Sequence, residues 1–345
     1  MIDKTHFKFF ASCIPVKGYK ESVILDIERG NIFPIPNLLF DVLEKNKVLT
    51  IDDLKAHYNG EWNKGIDHYF DYFNEKNIGF FTNEPSSFPD LSPTWKNPLK
   101  IINAIIEYSM TSDYSLKEVI QQLSAIGCEA IQIRLFHHLE VAVLLNELEA
   151  IKNSRIRYCE LFVPYTDNLN RVDLYKIRDF DARVAKIIIH SSPWNKCLKH
   201  KKRYYNDIFY FSQKVIDQTY VEQYSIQNMV ANVYSYTEAF SHNLGLNRKV
   251  SIARNGDIKN YPTHKSCFGN VIQDRIEDII EKESFKKKWY VSNDNIEKCR
   301  DCQYRYACVS NSDIEETDGR YYKKELCNFD PYMNEWNLDS NYQSK

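Results

Sequence analysis

The chain of 345 residues lacks the short signatures that mark nucleotide-dependent enzymes and the common hydrolases. It has ten glycines and no Gly-x-Gly-x-x-Gly, so no glycine-rich turn is available to cradle a dinucleotide pyrophosphate. The pair Gly60-x4-Gly65 is followed by Ile66-Asp67, where a phosphate loop needs Lys-Ser or Lys-Thr. No His-Glu-x-x-His occurs, which excludes a zincin helix, and no Gly-x-Ser-x-Gly elbow is present to support a hydrolase. Long apolar runs are missing too. Residues 141–145, Val-Ala-Val-Leu-Leu, are typical of the longest, against the ~20 residues a membrane helix needs. Phe10-Ala11-Ser12-Cys13 loosely resembles a lipoprotein cleavage site, but the apolar stretch before it is short and interrupted by Lys8. Nor is charge of one sign in excess. With 45 basic and 47 acidic residues the formal charge is −2, so bulk charge does not favour nucleic acid.

What is present is apolar, aromatic and rich in cysteine. A hydrophobic content of 43% with 14% aromatics is ample for packed cores, and the length suggests two or three domains. Nine cysteines is an odd number, and Cys13, Cys128, Cys159, Cys197 and Cys267 show no framework spacing, which points to a reducing compartment. A soluble, cytoplasmic chain is expected. Two basic clusters stand out, Lys196, Lys199, Lys201, Lys202 and Arg203, then Lys286-Lys287-Lys288. Each reads as a solvated helix face or as a docking surface for an acidic partner.

Cys299, Cys302, Cys308 and Cys327 carry the chemistry. They lie in Cys-Arg-Asp-Cys-Gln-Tyr-Arg-Tyr-Ala-Cys and in one further segment nineteen residues on. A Cys-x-x-Cys turn lets two thiolates converge on one centre, and a third and fourth thiolate complete a four-sulfur site. Such a site suits tetrahedral zinc or an iron–sulfur cluster. Paired disulfides or unpaired core thiols are the plainer readings.

The chain divides at a proline-rich linker, residues 84–98, with Pro85, Pro89, Pro93 and Pro98. Before it, strands are expected over residues 7–16, 22–27 and 32–35, with Glu28-Arg29-Gly30-Asn31 as a turn. Helices then follow from Asn37, after a capping box at Thr50-x-x-Asp53, and over residues 65–76, with a strand or wing at 78–82. That order describes a winged-helix-like module. After the linker, strands at 101–108, 130–136, 158–163 and 184–190 alternate with helices at 116–126, 139–152 and 174–180. This alternation implies a parallel sheet with crossover helices, open or partly closed into a barrel. Residues 206–240 suggest an irregular strand and a helix. Beyond them come a strand at 249–253, a turn at Asn255-Gly256-Asp257, a helix over 275–289, the cysteine site, and a loose polar tail after Asn334.

With Gly256, Phe268-Gly269-Asn270-Val271, Trp289, Cys299, Cys302, Cys308 and Cys327 in that order, the C-terminal part resembles the SPASM domain of radical S-adenosylmethionine peptide maturases. The resemblance implies one auxiliary 4Fe-4S cluster on those four cysteines. Tyr261 and Ser312 stand where ligands of the first auxiliary cluster belong, so that cluster is not expected; His264 and Cys267, spaced His-x2-Cys, read as a remnant or as an extra ligand pair, and are not expected as ligands. No Cys-x3-Cys-x2-Cys follows the first barrel strand, where Ser109-Met110-Thr111-Ser112-Asp113-Tyr114 stands instead. S-adenosylmethionine cleavage is therefore not expected, because hydroxyls do not replace thiolates at iron. The N-terminal unit resembles the PqqD-like module that binds leader peptides by adding them to a sheet edge. Together with residues 9–18, Phe-Phe-Ala-Ser-Cys-Ile-Pro-Val-Lys-Gly, the chain resembles the SPASM-domain peptide maturases of grasp-with-spasm systems.

The fold implied is α/β in three parts: a PqqD-like winged-helix module over 1–90, a degenerate radical-SAM-like β/α barrel over 98–245, and a SPASM iron–sulfur domain over 246–335. The function implied is maturation of a ribosomally made precursor peptide, whose leader is bound, beside an ATP-grasp peptide ligase. The alternative is an adaptor or regulatory protein with structural zinc in the four-cysteine site. No nucleic-acid or membrane partner is expected. His137-His138 and His190-Ser191-Ser192 end strands, with Cys159, Glu160 and Arg134 on neighbouring strands, and read as structural positions.

Overall fold

The computed structural model describes residues 6–45, 49–199, 207–212, 226–324 and 327–336. The basic run from residue 200 on and the tail beyond 336 lie outside them.

The N-terminal part contains β1 (His6–Phe9), β2 (Cys13–Val16), β3 (Ser22–Asp26), β4 (Asn31–Ile35), α1 (Asn37–Lys45), α2 (Ile51–His57), α3 (Asn63–Glu75) and β5 (Gly79–Thr82). The expected strand over residues 7–16 breaks in two. The Cys13 N–H donates to Phe10 O at 2.8 Å, and this tight turn sends β1 to pair with β5 while β2 joins β3 and β4. The capping box holds: Thr50 Oγ1 accepts from Asp53 N–H at 3.1 Å, and Asp53 Oδ2 accepts from Thr50 N–H at 3.4 Å. Helix α3 turns Ile66, Phe70 and Phe73 inward at 4-3 spacing, against Ile24 of β3 and Leu39 of α1. β3 is buried along its whole length. Ile24 meets the helices, while Val23 and Leu25 on its other face join a separate core with Tyr236, Tyr304 and Phe329. The linker carries one short 3-10 turn, Pro85–Ser87, and is held by Phe88 against Phe80 and by a Lys8–Asp90 ion pair at 2.7 Å.

The middle part follows the expected alternation. It comprises β6 (Asn103–Tyr108), α4 (Leu116–Ala125), β7 (Ala130–Leu135), α5 (Val141–Lys152), β8 (Tyr158–Pro164), α6 (Arg171–Phe180) and β9 (Val184–His190). Then come β10 (Lys196–Leu198), β11 (Asp207–Tyr210), α7 (Val233–Ala239), β12 (Lys249–Ile252), β13 (Asp257–Lys259) and β14 (Gly269–Asn270). Among the described residues these strands form one nine-stranded open sheet in the order β10-β11-β9-β8-β7-β6-β12-β13-β14. Pairing from β11 through β9, β8, β7 and β6 to β12 is parallel, and the flanking pairs are antiparallel. The protein is thus mixed α/β with a mostly parallel sheet. Ser115 and Asn170 cap α4 and α6 by accepting from the N–H of Glu118 and Asp173. These helices cover one sheet face, on which Ile106, Ile133 and Leu161 are packed against Leu123 and Leu148.

The C-terminal part has α8 (Ile276–Ile280), α9 (Glu283–Lys286), β15 (Ile314–Thr317), β16 (Arg320–Lys323), β17 (Phe329–Asp330) and β18 (Glu335–Trp336). The helix expected over 275–289 is interrupted at Lys282, whose ψ of 131° is extended, and ends in a 3-10 turn over Lys287–Tyr290. That break allows Ile276, Ile279, Phe285 and Trp289 all to reach the large core. Trp336, at the start of the expected loose tail, is half-buried against Phe329 and Tyr304.

Gly245 joins this part to the sheet. A Cβ there would stand 2.0 Å from the Ser310 carbonyl oxygen, a contact that only backbone movement can relieve. Gly245→Ala is expected to cost ~3 kcal/mol or more as an overpacked site. Chemical denaturation would show this as a lower midpoint at unchanged slope.

Candidate metal centre

Lys298 adopts a left-handed conformation, φ 65°, and turns the chain into the 3-10 segment Cys299–Asp301. Cys302 N–H then closes on Cys299 O at 3.0 Å. Backbone N–H groups aim at sulfur at both ends of the motif: Tyr304 donates to Cys302 Sγ and Phe329 to Cys327 Sγ, each at 3.4 Å. The β15–β16 hairpin is tied alongside, with Glu297 N–H donating to Tyr321 O at 2.9 Å. Lys323 ends that hairpin.

The four thiols share one electrostatic environment. Burial raises the Cys302 thiol well above its usual range, and the other three cysteines add to this against the Tyr304 N–H. Cys299 is raised by burial, with Lys323 opposing and Cys308 and Cys327 adding. Burial pulls Lys323 down, yet all four cysteines together hold it above its usual range. A bound cation would relieve the crowding of these thiols and favour the thiolates it ligates. The donor set, four thiols with N–H groups on two of them, therefore fits a thiolate-ligated metal or cluster. Among the described residues no three His, Cys, Asp or Glu side chains are grouped so as to hold a single metal ion.

The other candidates lie apart from this chemistry. All nine cysteines are free thiols. Cys267 donates to Gly269 O at 3.2 Å, and His264, buried, has Nε2 2.9 Å from Asn311 O. Tyr261 is buried, and its hydroxyl accepts from Arg134 at 3.2 Å. Cys13, Cys128 and Cys159 are core residues whose thiols burial pushes up, Cys13 to about 11 and Cys128 to about 12. His137 and His138 fall on the loop between β7 and α5. His190 is buried, with Nε2 2.9 Å from Leu135 O and Nδ1 3.1 Å from Ser191 Oγ, and burial lowers its pKa.

The sheet face away from α4–α6 is polar. In register across it run Lys259, Ser251, Ile105, Gln132, Glu160 and Lys186. Glu160 accepts from Gln132 at 3.0 Å and from Tyr158 at 2.7 Å, and pairs with Lys186 at 3.1 Å. Two residue pairs further along, on the same face, Glu107 faces Arg134, which donates to Gln132 at 2.6 Å. Burial raises Glu107 against the pull of Arg134 and Lys259. Glu160 and Arg134 thus belong to one network, whereas Cys159 points into the opposite, apolar core. A charged residue inside the apolar run Ala-Ile-Ile-Glu-Tyr is the sequence signal by which Glu107 was findable. A cleft of about 300 Å³ opens beside this network, lined by Asn103, Gln132, Tyr158, Lys249 and Tyr261.

The cysteine segment lies where two cores meet. Cys299 and Tyr321 pack with Ile105 of β6, Tyr261, Ile296 and Ile314. Cys302 packs with Val16, Val23 and Leu25 of the N-terminal sheet and with Tyr304 and Phe329. The residues on either side of α7 back the loop between Cys302 and Cys308: Val230 N–H donates to Ala307 O at 2.8 Å, and Phe240 stacks on Tyr306 at 4.7 Å.

No family model matches this sequence, and no curated protein matches it. Solved structures that resemble it include Streptococcus suis SuiB bound to S-adenosylmethionine, 10% identical over 88% of this chain and 94% of that one, with a TM-score of 0.30. SuiB bound to precursor peptide SuiA matches at 10% identity over the same shares, with a TM-score of 0.29.

Glu238 of α7 is 4% exposed and accepts from Asn247 at 2.7 Å. Burial pushes its pKa up from 4.5 to about 7, against the opposing pull of Asn247, Arg248 and Lys249. The folded state therefore binds this proton more tightly than the unfolded state does. Its contribution is complete below pH 4.5 and is lost as pH rises through about 7. Urea denaturation at pH 5 and pH 8 should show a loss of about 3 kcal/mol that Glu238→Gln removes.

Proposed function

We propose that the chain is a SPASM-domain peptide maturase or accessory protein of the grasp-with-spasm type. It captures the leader of a ribosomally made precursor peptide and holds one 4Fe-4S cluster on Cys299, Cys302, Cys308 and Cys327. It acts in the cytoplasm beside an ATP-grasp peptide ligase. What supports the reading is that all four cysteines act on one lysine, Lys323, and that backbone N–H groups donate to the sulfurs of Cys302 and Cys327. In the N-terminal sheet, β2-β3-β4 followed by three helices, β4 is an end strand that pairs only with β3 among the described residues. An end strand offers main-chain groups to an extended peptide, and neighbouring pockets give specificity. Pro34 has no N–H to offer on β4, so pairing falls on Asn31 to Phe33.

In this reading Cys299, Cys302, Cys308 and Cys327 hold the cluster, which when bound supplies redox capacity or a ligation site for substrate. The polar face around Glu107, Arg134 and Glu160 orients the modified part of the peptide. Cofactor cleavage is not part of the reading. The loop after β6 is closed by hydroxyls, with Ser112 Oγ accepting from Ser109 N–H at 3.1 Å and Ser109 and Thr111 hydroxyls 2.8 Å apart.

Anaerobically purified protein should contain iron and sulfide, and Cys302→Ser should abolish its ~400 nm absorbance and lower its stability, since site binding energy is also folding energy. Cys267→Ala should leave the metal content unchanged. Stoichiometric zinc without sulfide would replace the cluster with a structural zinc and the maturase with an adaptor.

Leader binding is tested on the full chain, because Val23 and Leu25 of β3 are covered by the C-terminal core. Fluorescence polarisation with the leader of the co-encoded precursor should give a micromolar Kd, about −8 kcal/mol. Ile32→Pro, which removes an edge donor, should weaken it about tenfold or more. Equal binding by that variant removes β4 from the recognition site.

A further inference from the structure

Between residues 16 and 22 the N-terminal sheet makes a turn that grips the cysteine segment. Tyr19 N–H donates to Asp301 O at 2.8 Å, and Arg305 reaches Lys17 O. Gly18 lies so close to Gln303 that a Cβ on it would stand 2.9 Å from the Gln303 Cβ. A second layer closes the contact: the Tyr19 and Tyr332 rings meet at 4.9 Å, and Tyr332 donates its hydroxyl proton to Asp301 Oδ2 at 2.9 Å. Gln303 donates to Asn334 Oδ1 at 2.7 Å, and Asn334 donates to Glu21 Oε2 at 3.1 Å. Behind this chain of polar contacts, Val16, Val23, Leu25 and Ile27 pack on Tyr304, Phe329 and Trp336.

The surface that receives the turn has little regular structure of its own. It consists of a three-residue 3-10 segment, a two-residue β17 and a two-residue β18. Backbone pairing of that length fixes few residues. A group that ties Cys299, Cys302 and Cys308 to Cys327 would hold these short pieces in one arrangement. It would also hold Cys299 to the polar face of the large sheet while Cys302 stays on the N-terminal sheet.

We propose that filling the four-cysteine centre clamps the N-terminal sheet in place, so that the loaded protein presents β4 in a fixed position and the emptied protein does not. The proposal rests on the metal-centre reading above. Loss of the centre frees the strip around Asp301, Gln303 and Tyr332, and the 17–21 turn opens with it. The helices on the far side of the large sheet take no part, since their core contains none of the four cysteines.

Amide hydrogen exchange on the full chain, with iron and sulfide measured in the same samples, tests this. Protein as purified anaerobically is compared with protein emptied by oxidation and chelation, then reconstituted with iron and sulfide. Exchange over residues 17–26 should rise about tenfold or more on emptying, with α4 and α5 unchanged, and return on reconstitution. Cys302→Ser should match the emptied protein. Iron lost with exchange over 17–26 unchanged overturns the clamp and leaves the metal centre standing. Equal acceleration in α4 and α5 shows global unfolding and overturns it as well. Protein that never contains iron and sulfide removes the centre and the clamp together.

Discussion

Everything on the N-terminal side depends on β3 having no face in water. Val23, Ile24 and Leu25 are fully buried, one side among helices and the other among the aromatic residues that surround the cysteine segment. Burying an aliphatic side chain is worth roughly 1.5–3 kcal/mol, so three in succession give this strand several kcal/mol of leverage over how the two ends of the chain sit. The second face requires Tyr304, Phe329 and Trp336 to be in place. Their placement depends in turn on short turns and two-residue strands. An apolar strand that is strong by itself thus leans on a region that is weak by itself.

The large sheet solves a different problem. One face is a dry core shared with helices α4 to α6 and with α8 and α9; the other carries charges that satisfy each other across strands. Such a network tolerates burial because most of its donors and acceptors are matched, and it fixes side-chain positions that an apolar face would leave free to repack. Tyr261 connects the two, since it packs with Ile105 and Ile296 while its hydroxyl accepts a hydrogen bond from Arg134. The cysteine segment therefore meets the polar face at Tyr261 and at Ile105.

Much of this was legible in the residues. The strand–helix repeat from Asn103 to His190 showed because each strand is a compact apolar run and each helix opens on a capping or inward-facing pattern. The capping box at Thr50 was legible for the same local reason. The cysteines were visible as a spacing. Features set by distant parts of the chain were not visible. The break at residues 10–12 follows from the sharing of β1 and β2 between two sheets, which no local pattern records. The extended Lys282 interrupts a helical periodicity that is otherwise intact. The strands β13 to β18 are two to four residues long, too short to show alternation. The contact of Arg305 with Lys17 spans 288 positions, so the cysteine segment's place against the N-terminal sheet lay beyond any window.

That long span has a consequence for synthesis. Strands β2 to β4 are made well before Tyr304 and Phe329, which share a core with Val23 and Leu25. At about 5–20 residues per second, the intervening stretch takes on the order of half a minute to appear. Throughout that time an apolar sheet face and an open strand edge are both uncovered, which is the condition under which nascent chains associate. A chaperone or an early partner on the N-terminal sheet would cover that face until the later residues arrive.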